Sequence, residues 1–324
     1  MTPPPYAEMV VVITGASSGI GRATALTFAR ESASVVLAGR ETEALEELAR
    51  ECEREGGSAL AVPADVAERE AVEHLAASAV ERYGRIDTWV NNAGVMAYGE
   101  FDDIPADVFD RIIAVNLLGQ VYGSRAALAR FRAQGGGVLI NVCSLWGRIT
   151  SPLVSPYVVS KHGVRALSEC LHLELIEEPD IHVATVLPAA VDTPIFENAG
   201  NYLGRRLRPV WPLFNPQYVA DGIVACSRSP KREVTYGRLG RALEILYTLA
   251  PPLYRRTAGG LFMGGTVSAE RADDGPGTVL EPRGSHQTDG SWRRERRGDL
   301  VRAFFGASRG GLLGLLGRAE RLKP

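Results

Sequence analysis

The sequence of 324 residues contains little cysteine, and its four cysteines are widely separated. They form no C-x-x-C pair and no cluster with histidine, and they are Cys52, Cys143, Cys170 and Cys226. This scarcity excludes a disulfide framework and a zinc-centred fold, and we predict no metal site. It is also typical of a protein of the reducing cytoplasm, and the proline-rich start lacks the basic and apolar regions of a signal peptide.

Charge of one sign and long apolar runs are missing as well. The formal net charge is only -2, which excludes the broad positive field of a nucleic-acid-binding protein. No apolar run approaches the roughly 18 to 20 residues that a membrane-spanning helix requires. The charge is divided unevenly along the chain. The residues from 251 onward contain 13 Lys/Arg and 8 Asp/Glu and are therefore net positive, whereas the chain as a whole is slightly negative. The last quarter of the chain therefore differs in chemistry from the rest.

Short apolar runs alternate with helix-length amphipathic segments up to about residue 187. The strand-like runs are Val10–Thr14, Ser34–Ala38, Ala59–Pro63, Thr88–Asn91, Val138–Val142 and His182–Leu187. Continuous apolar runs are typical of parallel strands that are covered on both faces. The alternation predicts an α/β fold, with a Rossmann-like doubly wound parallel sheet and right-handed crossovers. Ligands of such sheets bind beyond the carboxyl ends of the strands.

The chain is predicted to contain one catalytic domain at residues 8–250, between a disordered start at 1–7 and an extension at 251–324. Residues 188–216 break the alternation with proline, aromatic residues and arginine, and we interpret them as a lid over the substrate. Glu233–Tyr236 is predicted to be one more strand. A composition rich in Gly, Pro, Asp and Arg predicts that residues 270–300 are mostly disordered.

The first candidate site is the turn from Thr14 to Gly21, between a predicted strand and a predicted helix. Glycines allow the backbone to approach a pyrophosphate closely, and the helix N-terminus offers N–H groups to it. The G-x-S-x-G nucleophile elbow of hydrolases also fits Gly15–Gly19 and Gly306–Gly310, but no histidine follows Ser308, and the extra glycine suits a dinucleotide better. The predicted phosphate-binding residues are Gly15, Ser17, Ser18, Gly19, Ile20 and Gly21.

A second candidate site comprises Ser144, Tyr157 and Lys161. Lys161 lies four positions after Tyr157, which places both on one face of a helix. An unperturbed tyrosine has a pKa of about 10, and a neighbouring lysine together with an oxidised nicotinamide is expected to lower it. Ser144 follows a predicted strand, and its hydroxyl is suited to hold a substrate oxygen. Taken alone, a Tyr-x-x-x-Lys pair fits a solvated helix face better.

Taken together, these motifs resemble the single-domain branch of the short-chain dehydrogenase/reductases over about residues 8 to 250. The T-G-x-x-x-G-x-G turn of that family corresponds to Thr14–Gly21, and its N-N-A-G segment corresponds to Asn91–Gly94. Ser144 precedes the Y-x-x-x-K motif by 13 residues, the spacing of the family. The sequence departs from the family at Ala189, where glycine is usual, and in its long tail.

The resemblance implies a role for each site residue. Tyr157 would act as general acid/base, and Ser144 would orient the substrate oxygen. Lys161 would bind the nicotinamide ribose and tune Tyr157, while Asn116 would hold a water that links Lys161 to solvent. The other cofactor contacts that the resemblance implies are Asp65, Val66, Asn92, Ala93, Gly94, Pro188, Val191 and Thr193.

The choice of cofactor depends on the end of the second strand. NAD-preferring sites usually place an acidic residue there, which binds the ribose 2′-hydroxyl. This sequence has Gly39 followed by Arg40, and a guanidinium favours a 2′-phosphate. We therefore predict NADP(H) over NAD(H). Stacking of Arg40 on the adenine, which suits either cofactor, stays an alternative.

The predicted function is the interconversion of a hydrophobic ketone or aldehyde and its alcohol, because the segments around the site are apolar and aromatic. The predicted substrate contacts are Met96, Leu145, Trp146, Ile149, Leu153, Val154, Phe196, Tyr202, Trp211 and Phe214. An NAD-linked alcohol or steroid dehydrogenase and a non-catalytic dinucleotide-binding scaffold are the alternatives. A homo-oligomer is expected through the helices at 105–134 and 157–177, although their small residues suit packing on the sheet as well.

The tail carries a basic run, Arg293–Arg297, followed by leucines and phenylalanines between glycines. Cations beside a short apolar segment are typical of a membrane-surface contact, and the segment is too short to span a bilayer. One hypothesis is a weak peripheral membrane contact by residues 290–324, separate from catalysis. A tail that covers the substrate cleft or a subunit interface is slightly favoured over it, since Gly306–Gly317 is a poor helix former.

Overall fold

The structure is a computed structural model that describes residues 4–282, 286–290 and 292. Its strands, in chain order, are β1 (Val10–Thr14), β2 (Ser34–Gly39), β3 (Ser58–Pro63), β4 (Thr88–Asn91), β5 (Ala97–Tyr98), β6 (Gly137–Val142), β7 (Ile181–Pro188), β8 (Gly200–Asn201), β9 (Arg205–Leu207), β10 (Glu233–Tyr236) and β11 (Val267–Arg271). Its α-helices are α1 (Gly19–Arg30), α2 (Thr42–Arg54), α3 (Arg69–Tyr83), α4 (Ala106–Ile113), α5 (Gly119–Gln134), α6 (Ser155–Glu174), α7 (Pro216–Arg228), α8 (Arg238–Leu249) and α9 (Pro251–Thr266).

The central sheet of the described chain has seven parallel strands in the order β10-β7-β6-β4-β1-β2-β3. All seven runs predicted from the sequence are strands of this sheet, so the predicted α/β, Rossmann-like fold is confirmed. The strand order reverses between β1 and β4, which lie side by side. In a doubly wound sheet the ligand crevice opens at this reversal, beyond the carboxyl ends of the strands.

Both faces of the sheet are covered, which explains why its strands are apolar throughout. Alternate residues of β1 point into two layers: Val12 packs with Trp89 and the helices α3 to α5, and Ile13 packs with Phe28 and the helices α1, α2 and α7. All four side chains are fully buried. Burial of a side chain of this size contributes roughly 1.5 to 3 kcal/mol, so each layer is a substantial source of stability.

The helices α4 and α5 are joined by a π-helical segment, Ala114–Leu118, into one long helix. Within the described residues, this helix, Ala106–Gln134, is long and apolar enough to cross a membrane by length and composition, with half of its most apolar window buried inside the protein. A Cβ atom at Gly123 would clash with the side chain of Asn91, and one at Gly119 would press on Val66. These small residues therefore pack on the sheet, and the helix belongs to the core.

The described start of the chain contacts the folded core, and the disorder expected over residues 1–7 stays a prediction. Tyr6–Glu8 forms a 3-10 turn. The ring of Tyr6 packs edge-on against Phe28, with 6.3 Å between centroids, and its hydroxyl donates to the carbonyl of Val224 at 3.1 Å. A single aromatic anchor thus holds a segment whose composition indicates a coil. Residues 1–3 lie outside the described residues.

The disorder expected over most of residues 270–300 stays a prediction, although Val267–Arg271 forms a strand. The strand β11 pairs in antiparallel fashion with β9, so the tail adds to the predicted lid. Composition does not reveal this pairing, because the partner strand lies about 60 residues earlier in the chain. The helix α9 forms despite Pro251 and Pro252, since prolines are tolerated in the first turn, where the N–H groups have no partner within the helix. The predicted membrane segment lies, apart from residues 290 and 292, outside the described residues.

Candidate functional site

A cavity of about 300 Å³ lies at the carboxyl ends of the strands on both sides of the reversal. Nearly all the predicted catalytic and cofactor-binding residues line it. The exceptions in that set are Gly21 and Asn116, which lie directly behind its wall. The residues in the wall are Gly15, Ser17, Ser18, Gly19, Ile20, Arg40, Asp65, Val66, Asn92, Ala93, Gly94, Ser144, Tyr157, Lys161, Pro188, Val191 and Thr193.

The glycine-rich turn between β1 and α1 is shaped by close backbone contacts. Gly15 and Gly19 have positive φ angles of 63° and 55°, which favour glycine. A Cβ atom at Gly15 would lie 2.7 Å from Cα of Ala93, and one at Gly21 would overlap the carbonyl of Gly15. The turn therefore needs glycine for its shape, and α1 begins at Gly19, with its N-terminus at the cavity.

The segment after β4 is fastened to this turn by hydrogen bonds. The hydroxyl oxygen of Thr14 accepts from the N–H groups of Asn92 at 3.0 Å and Ala93 at 3.2 Å. In return, the side-chain amide of Asn92 donates to the carbonyls of Thr14 at 3.0 Å and Gly15 at 3.1 Å. These contacts hold the floor of the cavity in one geometry. Thr14 belongs to the predicted motif, but this bracing role was not predicted.

Ser144, Tyr157 and Lys161 meet where β6 ends. Ser144 begins a short 3-10 turn, and its hydroxyl oxygen accepts from the N–H of Trp146 at 3.2 Å. The Nζ atom of Lys161 lies 5.5 Å from the ring centroid of Tyr157 and donates to the carbonyl of Val142 at 2.9 Å. The solvated helix face, the alternative for the Tyr-x-x-x-Lys pair, is wrong, because both side chains are buried.

Burial dominates the acid–base chemistry of this pair. It raises the pKa of Tyr157, an effect to which Cys143 adds and which a hydrogen bond with Ser144 offsets in part. Burial also lowers the pKa of Lys161 to about 8. The protein side chains therefore do not produce the expected lowering of the Tyr157 pKa. The free energy lost when the phenolate is removed from water exceeds the stabilisation that the neighbouring groups provide. At neutral pH Tyr157 holds its proton.

Asn116 lies in the π-helical segment and is fully buried. Its side-chain oxygen accepts from the N–H of Val95 at 2.8 Å, and its amide donates to the carbonyl of Val95 at 2.9 Å. The amide also lies 3.2 Å from the hydroxyl of Ser160. Asn116 therefore joins the strand end, the π-helical segment and α6. Its role in a water relay stays a prediction.

The end of the cavity beside β2 and β3 contains the predicted cofactor-selecting residue. Arg40 lines the cavity, and burial lowers the pKa of its guanidinium. Asp65 accepts from the N–H of Ala67 at 3.0 Å and forms an ion pair with Arg111. Arg111 was not identified from the sequence, because it lies on α4, far from any motif. It offsets the negative charge that Asp65 brings to this end of the cavity.

The opposite end of the cavity is apolar and aromatic, as predicted. Its side chains are Met96, Leu145, Trp146, Ile195, Phe196, Val210, Trp211, Phe214, Leu243 and Phe262. Four predicted contacts, Ile149, Leu153, Val154 and Tyr202, do not line it. Leu243 and Phe262 were missed, since the sequence does not show that α8 and α9 fold back over the site. Trp146 packs against Tyr157 on one side and Phe262 on the other, at centroid distances of 5.7 and 6.3 Å.

Metal chemistry has no visible basis in the described residues, in which no three His, Cys, Asp or Glu side chains are grouped to hold an ion. The four cysteines, all within the described part of the chain, are free, and only Cys170 is exposed. The candidate site therefore consists of a glycine-rich turn, a buried Ser-Tyr-Lys set and two chemically different cavity ends.

Comparison with known proteins places these features in one family. The model of the short chain dehydrogenases matches residues 9–202. The uncharacterized oxidoreductase YxnA of Bacillus subtilis (strain 168) is 38% identical over 252 residues, which cover 77% of this chain and 71% of YxnA. The predicted resemblance is thereby confirmed, and the nucleophile-elbow interpretation of the glycine-rich turn is wrong.

Solved structures show the same architecture. An alcohol dehydrogenase from the archaeon Thermococcus sibiricus, in complex with 5-hydroxy-NADP, is 29% identical with a TM-score of 0.61, and the match covers 70% of this chain and 95% of that protein. A short chain dehydrogenase/reductase from Burkholderia phymatum, in complex with NAD, is 24% identical with a TM-score of 0.68, covering 76% and 94% of the two chains. The latter similarity concerns the fold alone.

Proposed function

Since the chain belongs to the short-chain dehydrogenase family and is an NAD(P)-dependent oxidoreductase acting on CH–OH or C=O groups, we propose that it interconverts a hydrophobic ketone or aldehyde and its alcohol, with NADP(H) as cofactor. The observation that carries this proposal is the meeting of Ser144, Tyr157 and Lys161 in the wall of a cavity with one phosphate-binding and one apolar end. Sequence position alone does not bring these groups together.

The residues present fit a nicotinamide dinucleotide. The glycines of the turn between β1 and α1 have no Cβ atoms and leave room at the N-terminus of α1. There the N–H groups and the helix dipole favour a pyrophosphate. Gly19 also lies against Thr193, at a distance that leaves little room for a side chain. Asp65 and Val66 would hold the adenosine end, and Lys161 would hold the nicotinamide ribose. When bound, the cofactor supplies or accepts the hydride.

The preference for NADP(H) rests on Arg40 and on the missing acidic residue at the end of β2. The guanidinium lines the cavity, and Arg111 neutralises the neighbouring Asp65. Both effects favour a 2′-phosphate over a free hydroxyl. A comparison of kcat/KM with NADPH and with NADH tests the preference, and an equal or higher value with NADH contradicts it.

The proton would pass at the hydroxyl of Tyr157. Because burial keeps this phenol protonated at neutral pH, it is suited to donate a proton to the oxygen of a carbonyl that accepts hydride. Ser144 would donate a hydrogen bond to the same oxygen and so favour the charge that develops on it. Lys161, with an ammonium pKa lowered to about 8, is partly deprotonated near that pH.

The substrate class follows from the apolar end of the cavity. Trp146 and Phe262 form an aromatic wall beside the phenol, and we find no charged side chain among the described residues of that end. Such a surface binds a hydrophobic carbonyl compound and disfavours a carboxylate or phosphate. A panel of ketones and aldehydes of increasing size, followed by NADPH absorbance, identifies the preferred range.

The decisive test is Tyr157→Phe, which removes the hydroxyl and keeps the ring. We expect kcat to fall by at least about 100-fold, the scale of lost general acid catalysis, with little change in NADPH affinity. Tyr98→Phe is the matched control, because Tyr98 is buried in the same apolar cluster and does not line the cavity. Similar kcat values for the two variants would contradict the mechanism.

The wider setting of the enzyme is part of the same proposal. The free cysteines agree with a cytoplasmic location, and a peripheral membrane contact through residues 290–324 remains a proposal without support from the described residues. A homo-oligomer is supported by exposed apolar side chains on the two helices singled out in the sequence. These are Leu118, Val159 and Leu173.

A further inference from the structure

The tail of the chain lies across the phosphate-binding end of the cavity. We use the term C-terminal strap for the described residues 278–282 and 286–290. Thr278, Pro282 and His286 are part of the cavity wall. The strap therefore shares the cleft with the residues proposed to bind the dinucleotide.

The first contact of the strap is at the N-terminus of α1. The backbone N–H of Gly19 donates to the carbonyl of Gln287 at 3.0 Å. Gly19 is the first residue of the helix, and its N–H is one of the donors that an anion at this position would use. A neutral carbonyl oxygen of the same chain takes the place of a pyrophosphate oxygen.

The second contact is at the residue proposed to select NADP(H). The guanidinium of Arg40 donates to the carbonyls of Thr278 at 2.8 Å and Val279 at 3.4 Å. Beside it, the Nε2 atom of His286 lies 2.6 Å from a carboxylate oxygen of Glu41. At the adenosine end the strap thus already engages the guanidinium of Arg40 and the carboxylate of Glu41.

The strap is attached to the lid on both sides of these contacts. Thr278 N–H donates to the carbonyl of Asn198 at 2.9 Å, and Gly290 N–H donates to the carbonyl of Asp192 at 3.1 Å. Val279 is fully buried, and Trp292, just beyond the strap, is 4% exposed. Attachment at both ends places the acceptor carbonyls in the cleft at low entropic cost, because the segment is already ordered.

We infer that the C-terminal strap is an autoinhibitory segment that competes with the dinucleotide for the N–H of Gly19 and the guanidinium of Arg40. This inference rests on the proposed function. The strap makes the contacts of the cofactor itself, so both cannot be satisfied at once, and binding requires the strap to leave. The observed dissociation constant then equals the intrinsic constant divided by the fraction of molecules in which the strap is released.

The test uses full-length variants that loosen the strap. Gly290→Ala places a methyl group 2.7 Å from Oδ1 of Asp192 and 3.1 Å from the carbonyl of Thr193, so the segment must shift. Because this methyl also presses on Thr193, His286→Ala, which removes the contact with Glu41, is the second variant. Gly275→Ala is the matched control, since its methyl group meets no atom within 4 Å.

Two measurements are made on all four proteins. NADPH fluorescence titration gives the dissociation constant, which we expect to fall at least about fivefold in Gly290→Ala and His286→Ala and to stay unchanged in Gly275→Ala, since a looser strap raises the released fraction. Amide hydrogen exchange of the peptide that contains Gly19, measured without dinucleotide, is expected to accelerate in the same two variants, because the carbonyl of Gln287 protects that N–H.

The outcomes separate the two hypotheses. If the amide exchange of Gly19 and the NADPH affinity are unchanged in both loosened variants, the strap is not autoinhibitory, and the proposed function remains intact. Weaker NADPH binding in both loosened variants, with wild-type affinity in the control, also overturns the autoinhibition, because the strap would then be a lid that holds the cofactor. If none of the four proteins binds NADPH, the proposed function fails, and competition with the dinucleotide fails with it.

Discussion

Lys161 carries a charge that is costly to bury at the site. Burial lowers its pKa from 10.5 to about 8, so between these values the unfolded chain binds more protons at this position than the folded protein. Stability must rise with pH wherever the unfolded state holds more protons. The cost is fully present below about pH 8 and is relieved as the pH rises toward 10.5.

Comparison with Lys161→Met isolates this effect. Between pH 7 and pH 9.5 we expect the free energy of unfolding of the wild type to gain about 2 kcal/mol relative to the variant, from the two pKa values and proton linkage. Urea denaturation at the two pH values measures the difference, and the other titrating groups cancel between the proteins. An equal change in both would show that the ammonium of Lys161 is not desolvated as the structure indicates.

Single residues also show how far the sequence leads. The spacing of Tyr157 and Lys161 predicted that they share one helix face, and the family resemblance was needed to place them in a site. Asn91 was recognised only as part of a motif, although it accepts from the indole N–H of Trp89 at 2.7 Å and donates to Asn141 at 2.9 Å in the buried layer beneath the site. Arg111 was missed altogether, since its ion pair with Asp65 joins positions distant in sequence. Local patterns identify local chemistry, and long-range pairs require the fold.

At the level of elements, the π-helical segment depends on one side chain. Asn116 satisfies both backbone groups of Val95, which no strand ladder pairs. Asn116→Ala leaves two buried backbone groups without these partners, and an unsatisfied buried group costs roughly 1 to 3 kcal/mol.

We therefore expect Asn116→Ala to lower the free energy of unfolding by at least about 2 kcal/mol, in line with two lost partners. Asn116→Asp is the informative companion, because it keeps the acceptor for the N–H of Val95 while it replaces the amide that donates to the Val95 carbonyl and contacts Ser160 with a second carboxyl oxygen. Thermal and urea unfolding of the wild type and the two variants measure the order of their stabilities. A stability of Asn116→Ala equal to that of the wild type would mean that the carboxamide does not hold this segment.

The elements also differ in how well a sequence predicts them. The parallel strands were predicted within one residue at each end, because their apolar patterns are local and complete. The pairing of β11 with β9 was not, since each strand is short and polar and neither has an apolar pattern of its own. Such a strand is stabilised by its pairing with the partner strand rather than by its own sequence pattern. The average composition of the tail therefore predicts a coil.

For the whole molecule, two of the small residues that suggested an oligomer interface, Gly119 and Gly123, pack against the core. Val159 on α6 is 51% exposed, and Leu118 between α4 and α5 is 40% exposed, so an interface would rest on these larger side chains. Exposed apolar side chains on neighbouring helices mark an interaction surface.

We expect light scattering at micromolar concentration to give a dimer or larger mass for the wild type and a lower mass for Val159→Lys, because a buried unpaired ammonium opposes association. Ile245→Lys is the control, since Ile245 is similarly exposed but lies on α8. A monomeric wild type, or equal masses for all three proteins, contradicts an interface at this surface.

The position of the strap at the far end of the chain has a consequence for biosynthesis. The last strand of the central sheet, β10, ends at Tyr236, whereas the carbonyl that engages Gly19 belongs to Gln287. At a translation rate of about 5 to 20 residues per second, roughly 3 to 10 seconds separate the two. A nascent chain thus has every strand of its sheet while Gly19 and Arg40 are still open. Newly made protein meets the dinucleotide before the strap exists, and its first binding event escapes the competition that governs every later one.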